Sequence, residues 1–204
     1  GQGVPQDDKT AVKWFRLAAE QGNALGQIVL GLMYSAGQGV PQDNKTAVKW
    51  YRLAAEQGHA SAQHNLGSMH HKGQGVPQDD KTAAKWFRLA AEQGQASAQT
   101  NLGQLYRHGQ GVPQDYKTAV KWFRLAAEQG HALGQTVLGL MHATGTGVMQ
   151  NNLYAYMWWN IAASSGEPDA VKNRDIVVKR MTPADFYAAQ KLALECVRKK
   201  YKGC

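Results

Sequence analysis

A chain of 204 residues, 43% of them hydrophobic, has apolar material for one or two ordinary cores, so burial as such excludes nothing. No run approaches the roughly 18 consecutive apolar residues of a membrane-crossing helix. No charged stretch followed by an apolar one opens the chain, although it opens inside a motif, at Gly1-Gln2-Gly3-Val4-Pro5, and an omitted upstream segment is compatible with that. Of the net charge of +8, half lies in the last 60 residues, where Arg198, Lys199, Lys200 and Lys202 form a basic tail. The tail lacks the stacking aromatics of a single-strand binder, which disfavours nucleic acid as the partner.

Self-comparison sets the architecture. The segment G-Q-G-V-P-Q-D begins at Gly1, Gly37, Gly73 and Gly109, and a degenerate G-T-G-V-M-Q-N begins at Gly145, a period of 36 residues. A fixed period in this range means a solenoid whose units bury their apolar faces only against neighbours. In the first unit Asp7 stands where an N-cap belongs, followed by a helix of about four turns from Lys9 to Gln21 and by Gly22 as the residue that ends it. Lys9, Lys13, Arg16 and Glu20 make one narrow polar stripe on a helix that is otherwise apolar and must be covered on most sides. A second helix is expected from Ala24 to Ala36, ended by Gly37; the link of about two residues forces an antiparallel hairpin. Small residues (Ala18, Ala19, Gly26, Gly31) permit close approach, and Trp14, Phe15, Leu30, Met33 and Tyr34 supply bulk. The tryptophan column Trp14, Trp50, Trp86 and Trp122 is assigned to the core. In the connection, glycines permit positive φ, Val4 plugs the gap between repeats and Pro5 stiffens the turn. A phosphate-binding loop would need a preceding strand, and the sequence predicts none.

The pattern A-V-K-W-F-R-L-A-A-E-Q-G, then A-x-A/G-Q-x-x-L-G-x-M-Y and G-x-G-V-P-Q-D, resembles the bacterial Sel-one-like repeat family, relatives of the tetratricopeptide repeats. The resemblance covers residues 1–180 and weakens in the fifth unit, where Tyr154 to Gly166 keeps the helix-then-glycine grammar with altered residues. Thr182-Pro183 reads as the N-cap and first position of a last helix running to about Lys200, similar to the family's terminal cap. The expected fold is therefore all-α: one right-handed α-solenoid domain over 1–204, with repeats 1–36, 37–72, 73–108, 109–144 and 145–180 and a capping helix in 181–204. What the resemblance implies for function is a non-enzymatic adaptor that binds a protein or peptide.

Positions that recur are framework and positions that vary are free to bind. Lys13, Lys49, Lys85 and Lys121, with Arg16, Arg52, Arg88 and Arg124, stack into basic ladders interleaved with Glu20, Glu56, Glu92 and Glu128. If the first helices line the concave side, as in related repeats, these ladders form a groove for an extended or acidic peptide. The plainer reading is a solvated face of Arg–Glu pairs, each contributing about 0.3–0.5 kcal/mol. The second helix varies along one stripe, expected to point outward: Leu25, Ile28, Val29 and Leu32 in the first unit and Leu133, Thr136, Val137 and Leu140 in the fourth, against Ser, His, Asn, Thr and Gln in the middle units. These apolar patches mark contacts, including self-association; alternatively a missing segment covers the first and the end cap covers the fourth.

Cys196 and Cys204 fit no paired-cysteine metal pattern, and Gly203 lets them close a small disulfide loop, which favours a periplasmic or secreted setting over a cytoplasmic one. His64, His70 and His71 have no acid or cysteine at a matching i+3 or i+4 position, and His70 and His142 are two repeats apart, so no metal is expected. No nucleophile, base and orienting group break the repeat symmetry, so neither catalysis nor a cofactor is expected. The other functional reading is binding of a polyanion, nucleic acid or an envelope polymer, through the ladders and the basic tail.

Overall fold

The computed structural model describes residues 7–204, so Gly3, Val4 and Pro5, and their expected roles in the first connection, lie outside the described residues. Eleven helices and no strand occur among the described residues: α1 (Asp8–Glu20), α2 (Ala24–Ala36), α3 (Asn44–Glu56), α4 (Ala60–Lys72), α5 (Asp80–Glu92), α6 (Ala96–His108), α7 (Tyr116–Ala127), α8 (Ala132–Thr144), α9 (Asn152–Ser164), α10 (Pro168–Val178) and α11 (Pro183–Arg198). The class is the all-α helical-repeat solenoid. Its helices fall into two compact units, Gly1–Gln93 and Gly94–Cys204. No helix among the described residues is long and apolar enough to cross a membrane.

Each first helix starts on the same cap. Asp7, Asp43 and Asp115 accept hydrogen bonds from two amides of the first turn, and Asp79 accepts one from Thr82. The hydroxyl of Thr10, Thr46, Thr82 or Thr118 donates to the other carboxylate oxygen. Those threonine bonds hold all four carboxyls below the usual aspartate range. Asn151 performs the same capping for α9. The second helices of the first four repeats end on Gly37, Gly73, Gly109 and Gly145 in the left-handed conformation. The next glycine, two residues on, folds the connection back onto the first turn of the preceding first helix: a Cβ on Gly39 would strike the Asp8 carbonyl, one on Gly75 the Asn44 carbonyl and one on Gly147 the Tyr116 carbonyl. This lays Val40, Val76 and Val148 against the clusters below them.

Packing between successive repeats depends on one recurring fit. Tyr51 lies on Gly31, Phe87 on Gly67, Phe123 on Gly103 and Trp159 on Gly139, so closely that a Cβ on any of these glycines would come within 2.6–2.8 Å of the ring. The rings are buried, with Tyr51 2% exposed, and the alanines one turn to either side, Ala47 and Ala54 in α3, are sealed beside it. The tryptophan column departs from the expected core placement: Trp14 is 67% exposed, and Trp50, Trp86 and Trp122 are half-buried. On an α-helix adjacent positions are about 100° apart, so when the tyrosine or phenylalanine enters the interface its tryptophan neighbour falls at the edge. There Trp50 covers the cluster of Val12, Leu30 and Met33, and Trp86 covers that of Val48, Tyr51 and Leu66.

Buried glutamines tie the same layers by hydrogen bonds. Gln27 Nε2 donates to the Ala19 carbonyl within its hairpin (3.2 Å), while its Oε1 accepts from Gln57 Nε2 of the next repeat (2.8 Å). Gln93 to Gln63 and Gln129 to Gln99 repeat the second bond. The relay stops at Gln135, which donates to the Ala127 carbonyl but whose buried Oε1 has no hydrogen-bond partner among the described residues. The fifth unit carries Ser165 where the others carry glutamine.

In the second unit α9, α10 and α11 close the array around Ala155, Tyr156, Trp159, Ala162 and Ala170. Cys196 and Cys204 are joined by a disulfide, which holds Tyr201 and Cys204 against the cluster of Phe123, Met157 and Trp158.

Phe87→Ala is expected to cost about 3–5 kcal/mol in urea unfolding, and Trp86→Ala clearly less; the reverse order would return the tryptophans to the core. Ser165→Gln, which supplies the missing donor to Gln135, is expected to raise stability by about 1 kcal/mol, measured as an increase in the urea midpoint without a change in slope.

Candidate protein-binding surface

With one side of α3, α5 and α7 committed to the ring and glycine interface, the opposite side faces solvent. All eight ladder residues, Lys13, Arg16, Lys49, Arg52, Lys85, Arg88, Lys121 and Arg124, are exposed. The arginines neighbour one column of the second helices: Arg16 Nη2 donates to the Tyr34 hydroxyl (2.6 Å), Arg52 lies near His70 and Arg124 near His142. Arg16 thus turns to a tyrosine rather than to Glu20, unlike the simple Arg–Glu face.

The same stripe carries a third column that sequence reasoning missed. Leu17, Leu53, Leu89 and Leu125 are exposed, Leu53 to 45%. Each lies four residues after a ladder lysine and one after a ladder arginine, so the spacing alone puts it beside the polar stripe. In the first unit the three columns meet the connection after α4 in an open groove of about 480 Å³. Val48, Leu53 and Val76 give it an apolar floor, Lys45, Lys49 and Arg52 stand around it, and no carboxylate lines it. Such a site accommodates an apolar side chain flanked by negative charge.

The expected outward stripes on the second helices hold only in part. Leu25, Leu32 and Leu133 are exposed, but Ile28 (8% exposed) and Val137 (6%) are buried, Val29 packs against the cluster of Val12 and Leu30, and Leu140 packs against that of Tyr156 and Trp159. A second helix is covered on both sides, α2 by α1 and α3 and α8 by α7 and α9, which leaves it a solvent strip about one residue per turn wide. The fourth repeat's patch is therefore largely covered by the end of the array.

Three histidines pack or bond locally. His71 Nδ1 is 2.6 Å from Asp80, His64 packs its ring on Phe87 and His142 stacks on Tyr154 with ring centres 5.2 Å apart. Burial, then the Arg124 guanidinium, pushes the His142 ring below the ordinary histidine value of 6.5, and burial does the same to His131. The unfolded chain therefore takes up protons near pH 6.5 that the folded chain refuses. Their contribution is complete above that pH and is lost as pH falls below it towards the lowered folded values. The urea midpoint is expected to drop between about pH 7.5 and 5, and to drop less in His142→Tyr, which places there the residue of the first and third repeats.

Comparison with known proteins agrees with this geometry. The Sel1 repeat family model matches residues 1–23, 24–59, 60–95, 96–131 and 132–167. Among solved structures the chain is similar to c5321, a protective antigen of uropathogenic Escherichia coli strains displaying an SLR fold (35% identity over 94% of this chain and 42% of that one, TM-score 0.88). It is also similar to a Sel1 repeat protein from Oxalobacter formigenes (40% identity over 84% of this chain and 50% of that one, TM-score 0.75). It shares the fold of Helicobacter pylori cysteine rich protein B (23% identity over 64% of this chain and 94% of that one, TM-score 0.51). The chain thus spans half or less of the length of the first two relatives, and the comparison with curated proteins returns no match. Five repeats of one pattern, and two relatives at 35% identity or above, place the chain in the Sel1 repeat family.

Proposed function

We propose that this chain is a non-enzymatic scaffold that binds a protein or peptide on the exposed stripe of its first helices, centred on the groove over α3. Sel1 repeat proteins are generally protein-interaction scaffolds and typically non-catalytic. The observation that carries the reading for this chain is the exposed leucine column beside the lysine column. A solvated charged face has no use for an apolar residue at the same place in four successive repeats, whereas an interface needs an apolar centre inside a polar rim. The all-basic rim selects a partner with negative charge beside its apolar anchor. The disulfide between Cys196 and Cys204 supports an oxidising compartment, periplasmic or extracellular, as its setting.

Binding to a polyanion is the competing reading, and salt separates the two. The native chain, a Leu53→Ser chain and a Lys49→Ser/Arg52→Ser chain are each used to capture proteins from a bacterial lysate and envelope fraction, and each captured protein is purified and rebound at about 0.05 and 0.5 M salt. The expected result is one protein that binds the native chain at both salt concentrations and loses at least about tenfold in affinity with Leu53→Ser, equal to about 1.4 kcal/mol. Binding that disappears at high salt and ignores Leu53→Ser would make the chain a polyanion binder.

A further inference from the structure

The end of α11 departs from the grammar of the repeats before it. Each of α1 to α9 is followed within three residues by a glycine of positive φ, the residue that adopts this conformation freely. α11 turns instead on Lys200 (φ 51°) and Tyr201 (φ 66°), the only residues other than glycine with positive φ among the described residues. The Lys200 amide donates to the Val197 carbonyl (2.9 Å) and the Tyr201 amide to the Cys196 carbonyl (2.8 Å), the closure that a helix end usually makes through glycine. A side chain in the left-handed region disfavours such a turn about 5- to 30-fold per residue, so contacts further along must hold it shut. The structure supplies two. The Tyr201 ring lies against Gly130, in the turn between α7 and α8, where a Cβ would come within 3.1 Å of it. Beyond it, Cys204 is bonded to Cys196.

This bridge joins residues eight apart and so ties α11 only to its own return segment, residues 199–204. α11 meets α9 through other residues as well: Phe186 and Ala189 pack with Tyr156 and Ala162, and Ala193 packs with Met157 and Trp158. The bond is also within reach of solvent. Cys196 is buried and Cys204 half-buried, and both line an open pocket of about 120 Å³ with Met157, Leu192, Glu195 and Lys199.

We propose that the Cys196–Cys204 bond is a reducible latch on the 199–204 segment, opened by a dithiol reductant that enters this pocket and sprung by the left-handed turn at Lys200 and Tyr201. One thiolate of the reductant attacks Cys204 Sγ, the S–S bond breaks, and its electron pair leaves on Cys196 Sγ, which takes up a proton. The reductant's second thiolate then attacks the reductant sulfur of the mixed disulfide and expels Cys204 as a thiolate, which is protonated in turn. Two electrons thus pass from the reductant, which becomes a disulfide, to the two cysteines, and its two protons follow through water. Without the bridge the turn opens, Tyr201 leaves Gly130, and Lys200 and Lys202 are freed from the helix end, while α9 and α11 stay packed. In an oxidising setting the latch is shut. The inference is independent of the groove over α3, which belongs to the other compact unit.

The test uses the whole chain labelled with 3-fluorotyrosine, its Tyr201 resonance assigned by Tyr201→Phe, before and after dithiothreitol. Reduction is expected to carry that resonance towards the position of free fluorotyrosine. Tryptic cleavage after Lys200 and Lys202 should speed up at least about tenfold, since cleavage follows the open population, and helical circular dichroism should not change. A Cys196→Ser/Cys204→Ser chain should show the open resonance without reductant. In a reduced Lys200→Gly chain the closed population should recover at least about fivefold, because glycine removes the penalty at that position. Failure of free thiols to form under dithiothreitol overturns the proposal, as does a Tyr201 resonance that stays in place once they have formed. Loss of helical signal on reduction would make the bridge a staple of the whole unit and overturns it too. Equal opening of the Lys200→Gly chain removes the spring and overturns it as well.

Discussion

The seating of an aromatic ring on a glycine is the contact on which the rest of this structure depends. Interiors are packed like organic solids, so two helices approach only as closely as the side chains between them allow. Removing every side-chain atom at Gly31, Gly67, Gly103 and Gly139 lets a whole ring lie directly on the neighbouring backbone. Once the ring is there, the orientation of the first helix follows. The alanines one turn away are sealed, the tryptophan is pushed to the rim, and lysine, arginine and leucine are turned to the opposite side. The stripe of lysine, arginine and leucine is thus the back of the packing contact.

The glutamine relay adds direction to this packing. A ring on a flat glycine patch tolerates small slides along the helix, but the Gln27 side chain must satisfy both an alanine carbonyl in its own hairpin and a glutamine in the next repeat. A buried amide with two obligations permits one axial position, because leaving either unmet carries a desolvation cost. The connection contributes a third point, through the glycines that fold back onto the previous helix start. Ring, amide and loop together hold the contacts between the first and second and between the second and third repeats at three places.

Much of this was legible in the sequence. The period, the aspartate caps, the glycine stops and the hairpin boundaries follow from local chemistry, and the helices begin and end within about two residues of where that chemistry puts them. The errors share one cause. Trp50 and Tyr51 are both apolar neighbours, and no local signal tells which enters the interface; the answer lies in Gly31, on a different helix. Ile28 and Leu25 are three residues apart on one supposed stripe, yet one is buried and the other exposed, because α3 covers only part of that turn. The leucine of the stripe carries no local mark of exposure either, since leucine is among the residues most often buried. Exposure in a solenoid is set by neighbours on both sides, which a single unit's pattern does not contain.

The two halves of each ring and glycine contact lie 20 residues apart in the chain, one in a second helix and the other in the first helix that follows. Every internal repeat consequently donates one half to the layer behind it and one half to the layer ahead. A genetic exchange between any two of the near-identical repeats, whether it deletes a unit or adds one, leaves each glycine opposite a ring and each glutamine opposite its partner. Array length is therefore a variable that inheritance can change in whole steps without a repacking mutation, and the number of basic, leucine-bearing stripes offered to a partner changes with it, one per unit.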